Sequence, residues 1–193
     1  MTRLRRPLAF LALLVALAAL SACGTKGQHE GDRVVHVETE GLYLDIGELK
    51  YQVQVSRQLN PFDTQDKNYL EGVPESEREL SKEQVWFGVF LRVQNLTKEA
   101  LQPSGDIEII DTQEDVFKPI PLADTNHFAY RSEEPIPAGH LIPAPDTPAF
   151  DTPIQGNLIL FKLTLTALDN RPLELKIEGR KAPQQTGIVD LDV

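Results

Sequence analysis

The chain has 193 residues, with 19 Lys and Arg against 29 Asp and Glu, and 41% of its residues are hydrophobic. That is material for one domain with its own core and leaves little for a second. A net charge of −10 argues against nucleic-acid binding, which needs positive charge to displace phosphate counterions, and against electrostatic docking on anionic lipid.

The N-terminus carries the sharpest signal. Residues 1–6 are basic, with Arg3, Arg5 and Arg6, and residues 7–20 form an apolar run of 14 residues. A membrane-spanning helix needs about 20, so the run reads as the core of a signal peptide. It ends in Leu20-Ser21-Ala22-Cys23 followed by Gly24, which resembles the bacterial lipobox. In that family the Cys thiol receives a diacylglycerol, the leader is cut just before it, and the new amino group is often acylated. Cys23 is the only cysteine and stands where the lipobox requires one. Residues 1–22 are therefore expected to be removed and Cys23 to be lipidated. The partner this implies is the bilayer, reached through acyl chains on Cys23, because two or three chains anchor stably where one does not. The expected location is the extracytoplasmic face of the cell membrane, or the outer membrane if the organism has two. With the leader's three arginines gone, 16 basic residues face 29 acidic ones, a net −13 over 171 residues. No free thiol and no disulfide then remain, so an exported domain must stand on its hydrophobic core.

Residues 23–35 are expected to be a lipidated tether, short enough to keep the domain close to the membrane, because the stretch after Cys23 is polar and glycine-containing. Residues 36–180 then show period-2 patterning. Leu42, Leu44 and Ile46 alternate with Tyr43 and Asp45, and Tyr51, Val53 and Val55 with Gln52, Gln54 and Ser56. From Val85 to Val93 the odd positions are apolar, and Trp86 and Phe90 lie on the other face. That strand is covered on both sides at its start and is expected at the centre of the core. Ile107 and Ile109 form an acidic strand expected near an edge, with Val116 and Phe117 as its hairpin return. Ile159, Phe161, Leu163 and Leu165 alternate in one C-terminal strand, and Leu173, Leu175 and Ile177 in the next. One short helix is expected near Glu75–Glu83, where Ser76 and Glu79 have capping-box spacing. Residues 181–193 read as a tail in which Ile188 and Val189 add at most a marginal edge strand. Seven or eight short strands imply an all-β, antiparallel β-sandwich with two long loops.

The loops are residues 59–82 and 123–153. The second holds six of the 14 prolines, which favour extended chain without ladder bonds. Loops of this length are often functional; alternatively they cap the open ends of the sandwich. Tyr69, Leu70, Phe128 and Tyr130 are apolar residues within them, to be read either as a contact patch or as anchors that hold the loops down.

The segment Trp86–Asn95, the acidic run Asp106–Asp111, then Phe117-Lys118-Pro119, and Ala149-Phe150-Asp151 before two C-terminal strands form an ordered pattern over about residues 40–180. It is similar to a family of exported bacterial immunoglobulin-like domains of unknown function, labelled after a telomeric-repeat-binding factor. The mycobacterial immunoprotective extracellular antigens look like relatives. The resemblance implies an immunoglobulin-like sandwich outside the cytoplasm with no established enzymatic activity.

Chemistry is hard to find in the sequence. His29, His36, His127 and His140 show no convergent zinc spacing, and copper handling lacks Met and Cys ligands. Asp111, Glu114 and Asp115 offer a calcium reading but lack the EF-hand order. None of Ser56, Ser76, Ser81, Ser104 and Ser132 lies in Gly-x-Ser-x-Gly, although Ser132 falls between His127 and His140. No catalytic residue, metal ligand or cofactor is assigned, and Cys23 is the one site residue. The expected role is a non-catalytic binding module of the bacterial envelope whose partner is a protein or a polymer. The alternative is a calcium- or small-ligand-binding lipoprotein, and a hydrolase comes third.

Overall fold

The computed structural model describes residues 32–182 and 184–191. The leader, Cys23 and the first part of the expected tether lie outside them. Ten strands form two sheets among the described residues. One sheet is built on β3 (Leu49–Leu59), β4 (Gln84–Asn95) and β8 (Asn157–Thr164). In it β4 is the hub, antiparallel to β3 on one side and β8 on the other. β2 (Tyr43–Ile46) extends it beyond β3, and β7 (Leu141–Ile142) pairs with the end of β4. The second sheet runs β1 (Arg33–Val37), β10 (Gln185–Leu191), β9 (Leu173–Glu178), β5 (Asp106–Ile110), β6 (Val116–Phe117). Strands β3-β4-β8 take the places of A, B and E in an immunoglobulin-like sandwich, and β5-β9-β10 those of C, F and G, with β6 added beyond C.

Alternation explains the packing. Phe87, Val89, Leu91 and Val93 of β4 and Ile159, Phe161 and Leu163 of β8 point between the sheets, where they meet Ile107, Ile109, Leu173, Leu175, Ile177 and Val189 of the facing sheet. The opposite face of β4 and β8 carries Trp86, Phe90, Leu158 and Leu160, and these form a second buried cluster with Leu59, Tyr69, Val73, Leu122 and Ala129. The sandwich therefore has a third layer, made of the long loops laid over its first sheet.

Several elements differ from the sequence reading. Val55 leaves the face of Tyr51 and Val53 because the β3–β4 register slips between Val53 and Val55; one extra residue turns every later side chain to the other face. Val55 packs in the outer cluster while Val53 stays in the inner one. The expected helix near Glu75 is one 3₁₀ turn, Glu75–Glu77, with no side-chain cap; the chain leaves it for Lys162, which donates to Glu77 Oε2 and to the carbonyl of Glu79. A helix the sequence reading lacks, α1 (Thr64–Tyr69), starts instead at Asp63, whose Oδ1 accepts from the backbone of Gln65 and Asp66. β8 stops at Thr164, whose hydroxyl accepts from Ala167 N and opens α2 (Leu165–Asp169). β5 is not an edge strand, since β9 and β6 flank it.

The sandwich is also longer than residues 36–180. β1 begins at Arg33, inside the expected tether, and β10 occupies most of the expected tail. β10 is interior, parallel to β1 and antiparallel to β9. Its Gly187 sits where a Cβ would come 2.4 Å from Ile46 Cδ1 and 3.1 Å from Leu44 Cδ2, so the missing side chain lets β2 of the facing sheet close over it.

Candidate functional site

The loop layer is fixed by two buried asparagines. Asn95, at the end of β4, donates through Nδ2 to the carbonyls of Glu99 (2.7 Å), Ile136 (2.8 Å) and Pro137 (3.2 Å), and its Oδ1 accepts from the backbone and hydroxyl of Thr97. Asn126 donates to the carbonyls of Tyr69 and Glu71 and accepts from Phe128 N, which ties the second loop to the first. Arg131 adds bonds to the carbonyls of Leu122, Ala123 and Asn126. The Tyr69 ring stands edge-on to Phe90 and to Phe128, each at 4.9 Å between centroids. These aromatics are anchors, then, and not an exposed patch: Tyr69 is buried, and Leu70, Phe128 and Tyr130 are half-buried.

Among the described residues, one aromatic is fully presented. Phe62 is 87% exposed at the tip of the first loop, on a turn held by Asp63 N to Asn60 O (3.0 Å) and Phe62 N to Asn60 Oδ1 (2.9 Å). Below it, Arg57 forms a fork with Asp66, at 3.0 and 2.5 Å. Burial raises the Asp66 pKa, but Arg57 and the Asn60 amide outweigh burial and hold it below its ordinary value. Between the second loop and β8 lies an open cleft of about 390 Å³, lined by Pro119, Ile120, Arg131, Glu133 and Leu160 among others.

The residues weighed for chemistry are structural or scattered. The Asp111 carboxylate is buried and accepts from Gln113 N, Asp115 N and Asn170 Nδ2. Burial pushes its pKa up, but these donors, Asn170 foremost, bring it below the usual value. The carboxylate thus closes the β5–β6 turn and has few lone pairs left for calcium. Ser132 donates to Glu133, His140 Nδ1 bonds the carbonyl of Ala138, and neither His127 nor His140 hydrogen-bonds to Ser132. Ser104 is committed to the carbonyls of Asp106 and Glu178, and its backbone lies between two phenols: its N–H donates to Tyr51 and its carbonyl accepts from Tyr130. Burial pushes the Tyr51 hydroxyl up to about 12 and that of Tyr130 well above its ordinary value.

The outer face of the second sheet divides into two halves. Toward β6, every carboxylate has a lysine: Glu108 meets Lys118 at 2.5 Å and Lys176 at 3.3 Å, Glu178 meets Lys176 at 2.6 Å, and Asp106 lies 3.9 Å from Lys118. Toward β1, the strands bring together His36, Glu174 and Asp190, whose ligand atoms all lie within 4.8 Å of one another. His36 Nε2 is 2.6 Å from Asp190 Oδ1. That hydrogen bond is the main cause raising the His36 pKa; Glu174 and Glu38 add to it, and burial opposes it. The sequence reading missed this trio because 154 positions separate His36 from Asp190, and only the β1–β10 pairing joins them.

No family model matches the sequence, and no curated protein is similar to it in sequence. In structure it is similar to a functionally unknown protein from Listeria monocytogenes EGD-e, at 10% identity and a TM-score of 0.50, over 78% of this chain and 81% of that one. It is also similar to an uncharacterized β-sandwich protein from Clostridium difficile 630, at 12% identity and 0.47, over 88% and 100% of the two chains. The yjhA protein from Bacillus subtilis matches at 8% and 0.47, over 81% and 100%. At 10% identity the first of these likenesses bears on the fold alone.

Proposed function

We propose that the protein is a lipid-anchored, extracytoplasmic β-sandwich of the bacterial envelope that binds a protein or polymer partner through its loop layer and catalyses no reaction. The observation that carries the anchor is the position of the only cysteine, Cys23, directly after Leu20-Ser21-Ala22 at the end of an apolar run too short to span a bilayer. The kinship with exported immunoglobulin-like domains belongs to the same reading, and the A-B-E and C-F-G strand order supports it. The binding role draws on Phe62, a large apolar side chain presented on a fixed turn above a packed layer, which is how a few residues come to dominate an interface.

Mass spectrometry of the mature N-terminus tests the anchor. The expected product begins at Cys23 and carries two or three acyl chains, and Cys23→Ala is expected to lose palmitate labelling and leave the membrane fraction. A wild-type chain with an intact leader, or an unmodified Cys23 in the soluble fraction, would overturn the reading. For the binding role, a photo-crosslinker at position 62 in intact cells is expected to give a discrete adduct. An adduct pattern no different from that of a crosslinker at Val116, exposed on the other sheet, counts against it. A small-ligand reading rests on the cleft at Ile120 and Arg131, and a melting shift lost on filling it with Ile120→Trp is its test.

A further inference from the structure

We infer that His36, Glu174 and Asp190 form a binding site for one divalent transition-metal ion, zinc by its chemistry, on the outer face of the second sheet. Three observations carry this. The donors stand on three adjacent, hydrogen-bonded strands, β1, β10 and β9, with Asp190 directly opposite Glu174. A sheet surface holds such groups in fixed positions better than a loop does.

The second observation is the charge imbalance. Elsewhere on this face the carboxylates are matched by lysines. Here two carboxylates lie within 4.8 Å of each other. Glu174 makes no hydrogen bond or ion pair among the described residues, and Asp190 meets only His36. Glu38 adds to the negative field around the imidazole. Like charges this close repel unless a cation lies between them. A divalent ion with neutral His36 and two carboxylates gives a locally neutral site.

The third is ligand type and spacing. Imidazole with two carboxylates is a borderline donor set that suits zinc, while calcium and magnesium take oxygen ligands alone. Zinc bonds of about 2.0–2.2 Å at tetrahedral angles place donor atoms ~3.3 Å apart. The His36–Asp190 contact at 2.6 Å would open slightly, and the wider spacings would close by side-chain rotation. Three protein ligands leave a fourth position for water. The bound ion would cross-link β1, the first strand after the N-terminal segment, to β10 and β9.

The test uses the full chain in detergent, stripped with chelator and titrated with Zn²⁺ by calorimetry and by melting temperature. One ion per chain and a rise in melting temperature are expected. Glu174→Gln and Asp190→Asn should each weaken binding at least about tenfold, and a His36→Asn variant should do the same. At a pH where His36 is neutral, Glu174→Gln should leave the metal-free melting temperature unchanged or raised, since that carboxylate then has no hydrogen bond or ion pair to lose. Binding that survives Glu174→Gln, or that disappears only in a His29, His127 and His140 triple alanine variant, overturns the site. No Zn²⁺ binding in the micromolar range also overturns it, leaving a plain imidazole–carboxylate hydrogen bond. A Ca²⁺-induced shift that is lost in Glu174→Gln but kept in His36→Asn would overturn the choice of metal.

Discussion

At the scale of single residues, the decisive positions are those where backbone crosses close to backbone. Asn95 is fully buried and its amide is the hub at which the second loop meets the end of β4. Asn95→Ala removes three bonds to carbonyls that each keep another donor, the Thr97 hydroxyl, Leu101 N or His140 N, and leaves Thr97 N–H without its acceptor; each lost bond costs about 0.5–1.5 kcal/mol. A loss of roughly 3 kcal/mol in chemical denaturation is expected, and a loss below about 1 would show that water replaces the amide. Gly156 is a second such place: a Cβ there would stand 2.9 Å from the backbone carbon of Phe90. Backbone cannot swing aside as a side-chain tip can, so Gly156→Ala should cost about 1–3 kcal/mol by overpacking. The sequence made Asn95 visible as the end of a strand but not as a hub, because its partners at 136 and 137 are known only once the chain has folded back. The same applies to Glu174. In sequence it is one polar position in an alternating strand, and its isolation from lysine emerges only across strands.

At the scale of elements, strands with one buried face were legible and those with a slip or an unusual neighbour were not. The inner faces of β4 and β8 were legible because every second residue is apolar, and the second apolar face of β4 at Trp86 and Phe90 was evident, but the alternation of β8 was carried one step too far, to Leu165, which lies in α2. The bulge in β3 was hidden because an alternating run looks the same with or without an inserted residue. β10 read as a tail although it returns antiparallel to β9, because it opens with Gln185, Thr186 and Gly187, which mask its alternation, and its second partner, the parallel β1, lies at the opposite end of the domain. Removing residues 185–193 should therefore abolish cooperative unfolding, since it uncovers Leu44, Ile46 and the edge of β9; a truncated chain that melts like the parent would show β10 to be dispensable. The loop layer has its own acid sensitivity. Asp66 has a lowered folded-state pKa, so its pairing with Arg57 stabilises fully above the unfolded value near ~3.9 and is lost as pH falls through the lowered one. Trp86, the only tryptophan, lies beneath that layer and reports on it. Its emission is expected to shift toward red below about pH 4, ahead of global unfolding. In Asp66→Asn that early step should be absent; if the step persists there, another group controls the layer.

At the scale of the whole molecule, a sandwich whose described residues contain no cysteine is held without a disulfide, and the two clusters on either side of the first sheet show how. β4 and β8 are packed on both faces, so the loops enlarge the core that a two-layer sandwich of this length would have. The loops cover the outer face of the first sheet through Tyr69, Asn126 and Phe128, and Phe62 stands out from the same layer. The reductant response then follows from the single cysteine. A lipidated Cys23 carries its sulfur in a thioether, so the melting temperature of the mature protein should be identical with and without reductant. An unlipidated chain in an oxidising compartment would pair through Cys23 with a second copy. A disulfide-linked dimer on a non-reducing gel, or a melting temperature that falls on reduction, would show that the sulfur is free and that the anchor reading fails, while the sandwich, whose described residues contain no cysteine, would stand unchanged.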